Sequence, residues 1–331
     1  MDALTGKSVI FLFQQGGPSQ LETFDPKPDA PDGVRTVGDT IRTSVPGVHF
    51  GEAMPQLAEL AHTFSVVRSF QTGNAGHNIE PIVGSHTEGA SIGAHFARLA
   101  GATRAGSGVP TNAVLFNDAV DSAVTKGQAR GDLRATGPYA SGFGAFVPGA
   151  GGQLQRDMEI TLPHNRTFDD RQKLLAALDH MRRNAENDES ISAMLAAQQQ
   201  AYEVLLGGGV SKALDLANED PGVVARYDTA KYARGGERWN KVKRGKSGYY
   251  TGQARTIGKQ LLTARRLCEA GCGFVTVHAG YAGVWDMHAD GNNLGMRDGM
   301  KAVGYAFDHA VAAFIRDLEA SGLSEKIMLV C

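Results

Sequence analysis

SVIFLFQQGGPSQLETFD, residues 8–25, decides the fold. Its first six residues are a continuous apolar run rich in β-branched and aromatic side chains, the pattern of a strand buried on both faces. Gly16, Gly17 and the four prolines between positions 18 and 31 then stop the strand and open a polar loop. The loop therefore lies at the carboxyl end of a central strand, where ligands bind in open α/β sheets.

Outward from this unit the same alternation recurs. GEAMPQLAELAHTF (51–64) predicts a short helix ending near His62, followed by a strand over 64–70 (FSVVRSF) and a loop, QTGNAGHN. Residues 88–100 read as a helix and 111–116 (TNAVLF) as a strand. From 119 to 163 the chain is loop-rich, and 170–184 and 190–206 carry helical periodicity. We assign 118–250 as a cap or insertion within one domain spanning 1–331. A helix over 252–269, a strand over 274–278, a long helix over 294–320 and a strand over 327–330 complete the reading. Helices alternating with compact apolar strands define an α/β class.

Composition sets limits. The 331 residues carry 33 basic and 35 acidic side chains, a net charge of −2, which excludes a generally basic nucleic-acid-coating surface. The segment 226–250 is locally basic and contains Trp239, Tyr249 and Tyr250, but reads as a solvated loop or helix end; no nucleic-acid partner is expected. Three cysteines, Cys268, Cys272 and Cys331, are too few for a disulfide framework and match no thiolate metal spacing. No run approaches the roughly 20 apolar residues of a membrane span, and the first seven residues lack a signal peptide's apolar core. Glycine, 42 residues without a repeating period, marks tight turns rather than a solenoid.

Two loops carry the chemistry. GGPSQLETFD offers Ser19, Glu22, Thr23 and Asp25; VWDMH offers Asp286 and His288. On an extended segment positions i and i+2 share a side, so Asp286 and His288 can present oxygen and nitrogen to one divalent metal; a capped turn with a structural histidine accounts for the same spacing. Of His77, His86 and His95, His77 in the NAGHN loop is the best site candidate. Phosphate-binding GxxxxGK[ST] and dinucleotide-binding GxGxxG patterns are absent.

KSVIFLFQQGGPSQLETFDPKPDAP, PGVHFGEAMPQLAELAHTFSVVRSF, the NAGHN loop, TARRLCEAGCGFVTVHAGYAGVWDMH and SGLSEKIMLVC closely resemble, in this order, the bacterial family called domain of unknown function 1501. The resemblance covers nearly the whole chain and is weakest over 118–163. That family is similar in fold to the alkaline phosphatase and sulfatase superfamily, which implies a three-layer α/β/α sandwich and a metal-dependent hydrolase of phosphate or sulfate esters, acting on a small molecule or glycan. The resemblance makes Glu22, where the family usually has aspartate, a first-strand metal carboxylate, and Thr23, or Ser19, the hydroxyl nucleophile. Asp286 and His288 correspond to the family's Trp-Asp-Thr-His segment, with Met287 in place of threonine, and supply the second metal contribution, while His77 lines the site.

The implied cofactor is a divalent metal: zinc, calcium, magnesium or manganese. Family members continue into Gly-Glu-Phe-Gly-Arg-Thr-Pro and Gly-Arg-Asp-His-Trp segments, so the reading expects a domain truncated at its carboxyl end. They also resemble exported proteins with a twin-arginine leader, which implies a periplasmic or envelope location, or a cytoplasmic one if this start is native. A noncatalytic binding or envelope-associated scaffold is the alternative, motivated by glutamate at position 22 and the missing segments.

Overall fold

The computed structural model describes residues 6–71, 76, 82–104, 107–124, 126–149, 209–233, 246–280, 284–290 and 293–331. Among them runs a four-stranded sheet of β1 (Ser8–Phe13), β4 (Asn112–Leu115), β5 (Phe274–His278) and β6 (Ile327–Val330), in the order β4-β5-β1-β6 and parallel throughout. A small antiparallel pair, β2 (Thr40–Arg42) and β3 (His49–Gly51), follows the β1 loop. The apolar runs of β1, β4 and β5 are continuous because helices cover both faces of the sheet.

The side-chain alternation of each strand separates two cores. Ile10, Leu12, Val275 and Val277 join a large cluster with helix α5 (Lys246–Ala270) and helix α7 (Tyr305–Ser321). On the other face Phe13, Val114 and Phe116 pack with Leu133 and Ala145 in a smaller cluster. Helix α2 (Ile92–Ala100) sits on this second face, with Phe96 6.0 Å from Phe274 between ring centroids. Gly273 makes that approach possible: a Cβ there would stand 2.2 Å from the Phe96 ring. The short helix α1 (Pro55–Glu59) packs on α7, its Gln56 and Leu57 amides donating to the buried Asp308 carboxylate at 3.1 and 2.8 Å.

Among the described residues the strands at 8–13, 112–115, 274–278 and 327–330 form as read, the helix read from 252 begins at Lys246, and three other segments differ. Residues 64–70 form no strand: Val67 and Phe70 are 73% and 74% exposed, and among the described residues no strand lends this segment an edge, without which β-branched alternation gains nothing. The helix read from position 88 begins at Ile92, because Glu88 adopts a left-handed φ of 52° and Ser91 Oγ accepts from the Ala94 amide at 3.1 Å. The helix read over 294–320 is α6 (Met296–Gly299), a π-helical turn over Met300–Gly304, then α7, ending at Gly322 with φ 69°. The stretches 170–184 and 190–206, and with them most of the expected insertion, lie outside the described residues. Two further short helices, α3 (Gly209–Leu214) and α4 (Pro221–Arg226), precede α5.

Among the described residues no helix is long and apolar enough to cross a membrane.

Candidate functional site

Glycines 16 and 17, with φ of 114° and 81°, turn the chain sharply out of β1 and into a 3-10 turn over Gln20–Glu22. Glu22 is 6% exposed, yet its carboxylate is satisfied: Oε1 accepts from the Val37 amide at 2.6 Å and Oε2 from Gly38 at 3.0 Å. Thr36 adds a second tie, its hydroxyl donating to the Leu21 carbonyl at 3.2 Å. Thr23 is buried as well, and its hydroxyl donates to the Ser19 carbonyl at 2.9 Å. Ser19 is half-buried and stands as the residue before the 3-10 turn, with no side-chain capping bond.

Close packing holds this turn in place. A Cβ on Gly51 would stand 2.1 Å from the Glu22 carbonyl oxygen, while the Gly51 amide donates to Thr23 O at 2.7 Å. Gly51→Ala is therefore expected to cost about 1–3 kcal/mol, the range for forced overpacking, in urea unfolding. A loss below a few tenths of a kcal/mol would show that the turn yields freely.

On the loop after β5, Asp286 Oδ1 and His288 Nε2 are in direct contact, and the backbone between them is not an extended segment but a tight turn in which the His288 amide donates to the Asp286 carbonyl at 3.1 Å. Asp286 is 12% exposed at its side chain and His288 57%, so the imidazole stands at the solvent edge over a sheltered carboxylate. Met287 points the other way and fills space left by Gly299, where a Cβ would lie 2.6 Å from its sulfur. His288 forms a β-bridge with Gly295, and Tyr250 OH accepts from the Leu294 amide at 3.2 Å. The Tyr250 phenol is pushed above its ordinary range by burial, with Asp286 and Asp290 adding to the shift.

The two loops are neighbours. Phe307 packs edge-on against both Phe24, at 6.4 Å, and Trp285, at 5.8 Å. From α6, Arg297 donates to Val37 O at 2.8 Å, next to the amide that holds Glu22. Glu22 and the Asp286–His288 pair are thus flanked by the same helix but bonded to different partners. Among the described residues no three His, Cys, Asp or Glu side chains converge as a metal cage. His77 lies outside the described residues. His95 is a packing residue, sharing a hydrogen bond with Tyr139 OH at 3.0 Å through Nδ1. Burial raises the thiols of Cys268 and Cys272, which keeps both protonated.

A third polar cluster at the same sheet end is not among the residues singled out from sequence. His278, the last residue of β5, is 1% exposed, and its Nε2 lies 3.1 Å from Gln15 Oε1. Arg130 fixes that amide: its N–H donates to Gln15 Oε1 at 3.0 Å and its carbonyl accepts from Gln15 Nε2 at 3.2 Å. Nε2 of His278 must then be the donor. The readable signal is a histidine closing an otherwise apolar strand, immediately before Ala-Gly.

Burial pushes the His278 imidazole down to about 4. A base with a depressed folded-state pKa contributes stability that is present above its unfolded value near 6.5 and is lost as pH falls through about 4. His278→Gln is expected to flatten the decline of unfolding free energy between pH 6.5 and 4 by about 3 kcal/mol. Parallel stability–pH curves for the two proteins would contradict this.

A cavity of about 460 Å³ opens at the opposite end of the sheet and is lined by Lys7, Arg104 and Lys326. The carboxyl ends of α2, α5 and α7 lie there, and their negative dipole ends account for the cations without a ligand. Chemistry is better served at the strands' carboxyl ends.

The family model described as "Protein of unknown function (DUF1501)" matches residues 6–331. Neither the curated proteins nor the solved structures contain a match.

Proposed function

This chain belongs to the family Protein of unknown function (DUF1501). We propose that it is a metal-dependent hydrolase of phosphate or sulfate esters on an alkaline phosphatase-like three-layer scaffold. The observation that carries the reading is the contact of Asp286 Oδ1 with His288 Nε2 beside the polar turn after β1. Carboxylate oxygen and imidazole nitrogen are both ligands of divalent metals, and a bound ion would hold these two atoms about an ångström further apart than they stand here. Asp286 and His288 fit as two ligands. Glu22 joins them only if its carboxylate leaves the Val37 and Gly38 amides.

A bound metal would polarise the ester oxygen and lower the pKa of an attacking hydroxyl or water. The chain's part is to place that charge at the sheet edge. Trp285, 1% exposed with its indole donating to Ala279 O at 3.1 Å, fixes the start of the metal loop. Thr23 remains the candidate nucleophile, with Ser19 second; attack requires Thr23 to give up its bond to Ser19 O.

The alternative, a noncatalytic binding protein on this scaffold, is favoured by one observation: the polar groups of Glu22 and Thr23 are both committed to backbone partners. Elemental analysis of the purified chain, with a panel of aryl phosphate and aryl sulfate esters assayed before and after chelation, separates the two. The hydrolase reading expects bound divalent metal and turnover that chelation removes. Absent turnover favours the binding protein, and metal-independent turnover contradicts both readings.

A further inference from the structure

The chain passes Phe64 extended, with φ −141° and ψ 164°, and continues to Gln71 without a turn or bend. Every residue from Ser65 to Phe70 is exposed, and among the described residues no backbone N–H or C=O from Ser65 to Gln71 has a hydrogen-bond partner. The segment has the composition of a strand and lacks a sheet. Such an edge is a template for pairing with another chain.

Alternate side chains separate two faces. Phe64 packs inward, its ring centroid 6.1 Å from those of both Phe24 and Phe50. On the same face Arg68 returns to its own chain, donating to Phe24 O at 2.8 Å and lying 3.5 Å from Asp25 Oδ1. Phe70 shares that face but is 74% exposed, and Val67 on the other face is 73% exposed.

The order of residues supplies the cover that the fold withholds. Phe-Ser-Val-Val-Arg-Ser-Phe, 64–70, reads nearly the same in both directions. Antiparallel pairing with a second copy about a two-fold axis at Val67 sets Phe70 against the partner's Phe64, Ser69 against the partner's Ser65, Arg68 against the partner's Val66, and Val67 against itself. Aromatic meets aromatic, hydroxyl meets hydroxyl and β-branched meets β-branched, the stabilising classes of cross-strand pair. Phe70, unpacked in its own chain, then adds to the aromatic cluster around the partner's Phe64. Charge is compatible as well. Arg68 is the one ionised side chain of the segment, it faces a valine, and Asp25 of its own chain neutralises it, so no like charges stand opposite each other. This self-complementarity is what an isologous two-fold contact requires.

We propose that residues 64–70 form the interface of a two-fold homodimer, joined as antiparallel strands centred on Val67. Seven residues a side is small beside the roughly 20–30 of a standard interface, so the dimer is weak and forms at micromolar concentrations. Because Arg68 is bonded to Phe24 and Asp25, next to Glu22 and Thr23, the pairing abuts the polar turn after β1.

Sedimentation velocity of the whole chain from about 1 to 500 µM tests this, and the expected result is a monomer–dimer equilibrium within that range. Val67→Lys changes only an exposed side chain and sets two ammonium groups opposite each other on the axis; it is expected to weaken dimerisation about tenfold. Met328→Lys, exposed on the sheet's edge strand β6, is expected to leave it unchanged. Register is read with a short bifunctional thiol reagent in a Cys331→Ser background. Val67→Cys, which faces itself across the axis, is expected to join to its partner copy much faster than Ser65→Cys, whose counterpart lies about 13 Å along the strand. A chain that stays monomeric to the highest concentration overturns the proposal. So does a dimer that Val67→Lys leaves intact, or equal cross-linking at positions 65 and 67. Wild-type sedimentation can overturn it without any variant.

Discussion

Asp286→Asn is expected to lower metal-dependent ester turnover by about 100-fold or more while leaving the fold intact. The amide keeps the shape of the side chain but removes the charge that His288 Nε2 and a divalent ion both need, and the 12% exposure of Asp286 leaves little solvent to replace it. His288→Ala is expected to act in the same direction with a smaller loss, because the half-exposed imidazole gives water access to its place. Rescue of His288→Ala by added imidazole, with none for Asp286→Asn, would mark ligation rather than packing. Turnover within a factor of two of wild type in both variants, with bound metal unchanged, would remove this pair from the hydrolytic site.

Arg265→Ala is expected to destabilise the chain by about 3–5 kcal/mol, through the cost of leaving buried charge unpaired. Arg265 is 6% exposed and lies between three carboxylates: it contacts Glu219 directly, Asp317 at 3.2 Å and Glu269 at 3.5 Å. Asp317, 4% exposed, also accepts from Tyr227 OH at 2.8 Å, and burial, with the Asp317 charge adding to it, pushes that phenol far up. The network ties α5 to α7 and to the segment before α4. Without the guanidinium, Asp317 is left in the core with Tyr227 and a distant Arg226 at 3.8 Å. Arg265→Met combined with Asp317→Leu and Tyr227→Phe should recover much of the loss, because well-packed apolar groups replace buried ions at little cost. Urea unfolding checks both; a loss under 1 kcal/mol for Arg265→Ala would show that water reaches Asp317.

Much of the sheet was legible because its strands are short continuous apolar runs, and burial on both faces demands that pattern. Residues 8–13, 112–115, 274–278 and 327–330 carried their own signal. Residues 64–70 carried the same signal without forming a strand, since period-2 patterning reports what a segment is able to bury and not whether an edge is offered to it. Asp286 and His288 were legible as a pair because they lie two residues apart; what brings them into contact is a tight turn in which the His288 amide donates to the Asp286 carbonyl at 3.1 Å.

The family resemblance made Glu22 and Thr23 candidates; Thr23 bonds locally to Ser19, but Glu22 is held by Val37 and Gly38, 15 and 16 positions away, and backed by Gly51, 29 positions away, which no local pattern announces. His278 is the sharper case. Its tautomer is set by Gln15, whose amide is set in turn by Arg130, so one proton's position depends on three segments spanning 263 residues.

Sequence by itself determined the α/β class, the positions of the four parallel strands along the chain and the family, because hydrophobic period and local motif are properties of neighbouring residues. Tertiary structure alone decided which polar atoms are satisfied and which are bare, since hydrogen bonding in a buried crevice depends on groups brought together by the parallel crossovers between β1, β4 and β5.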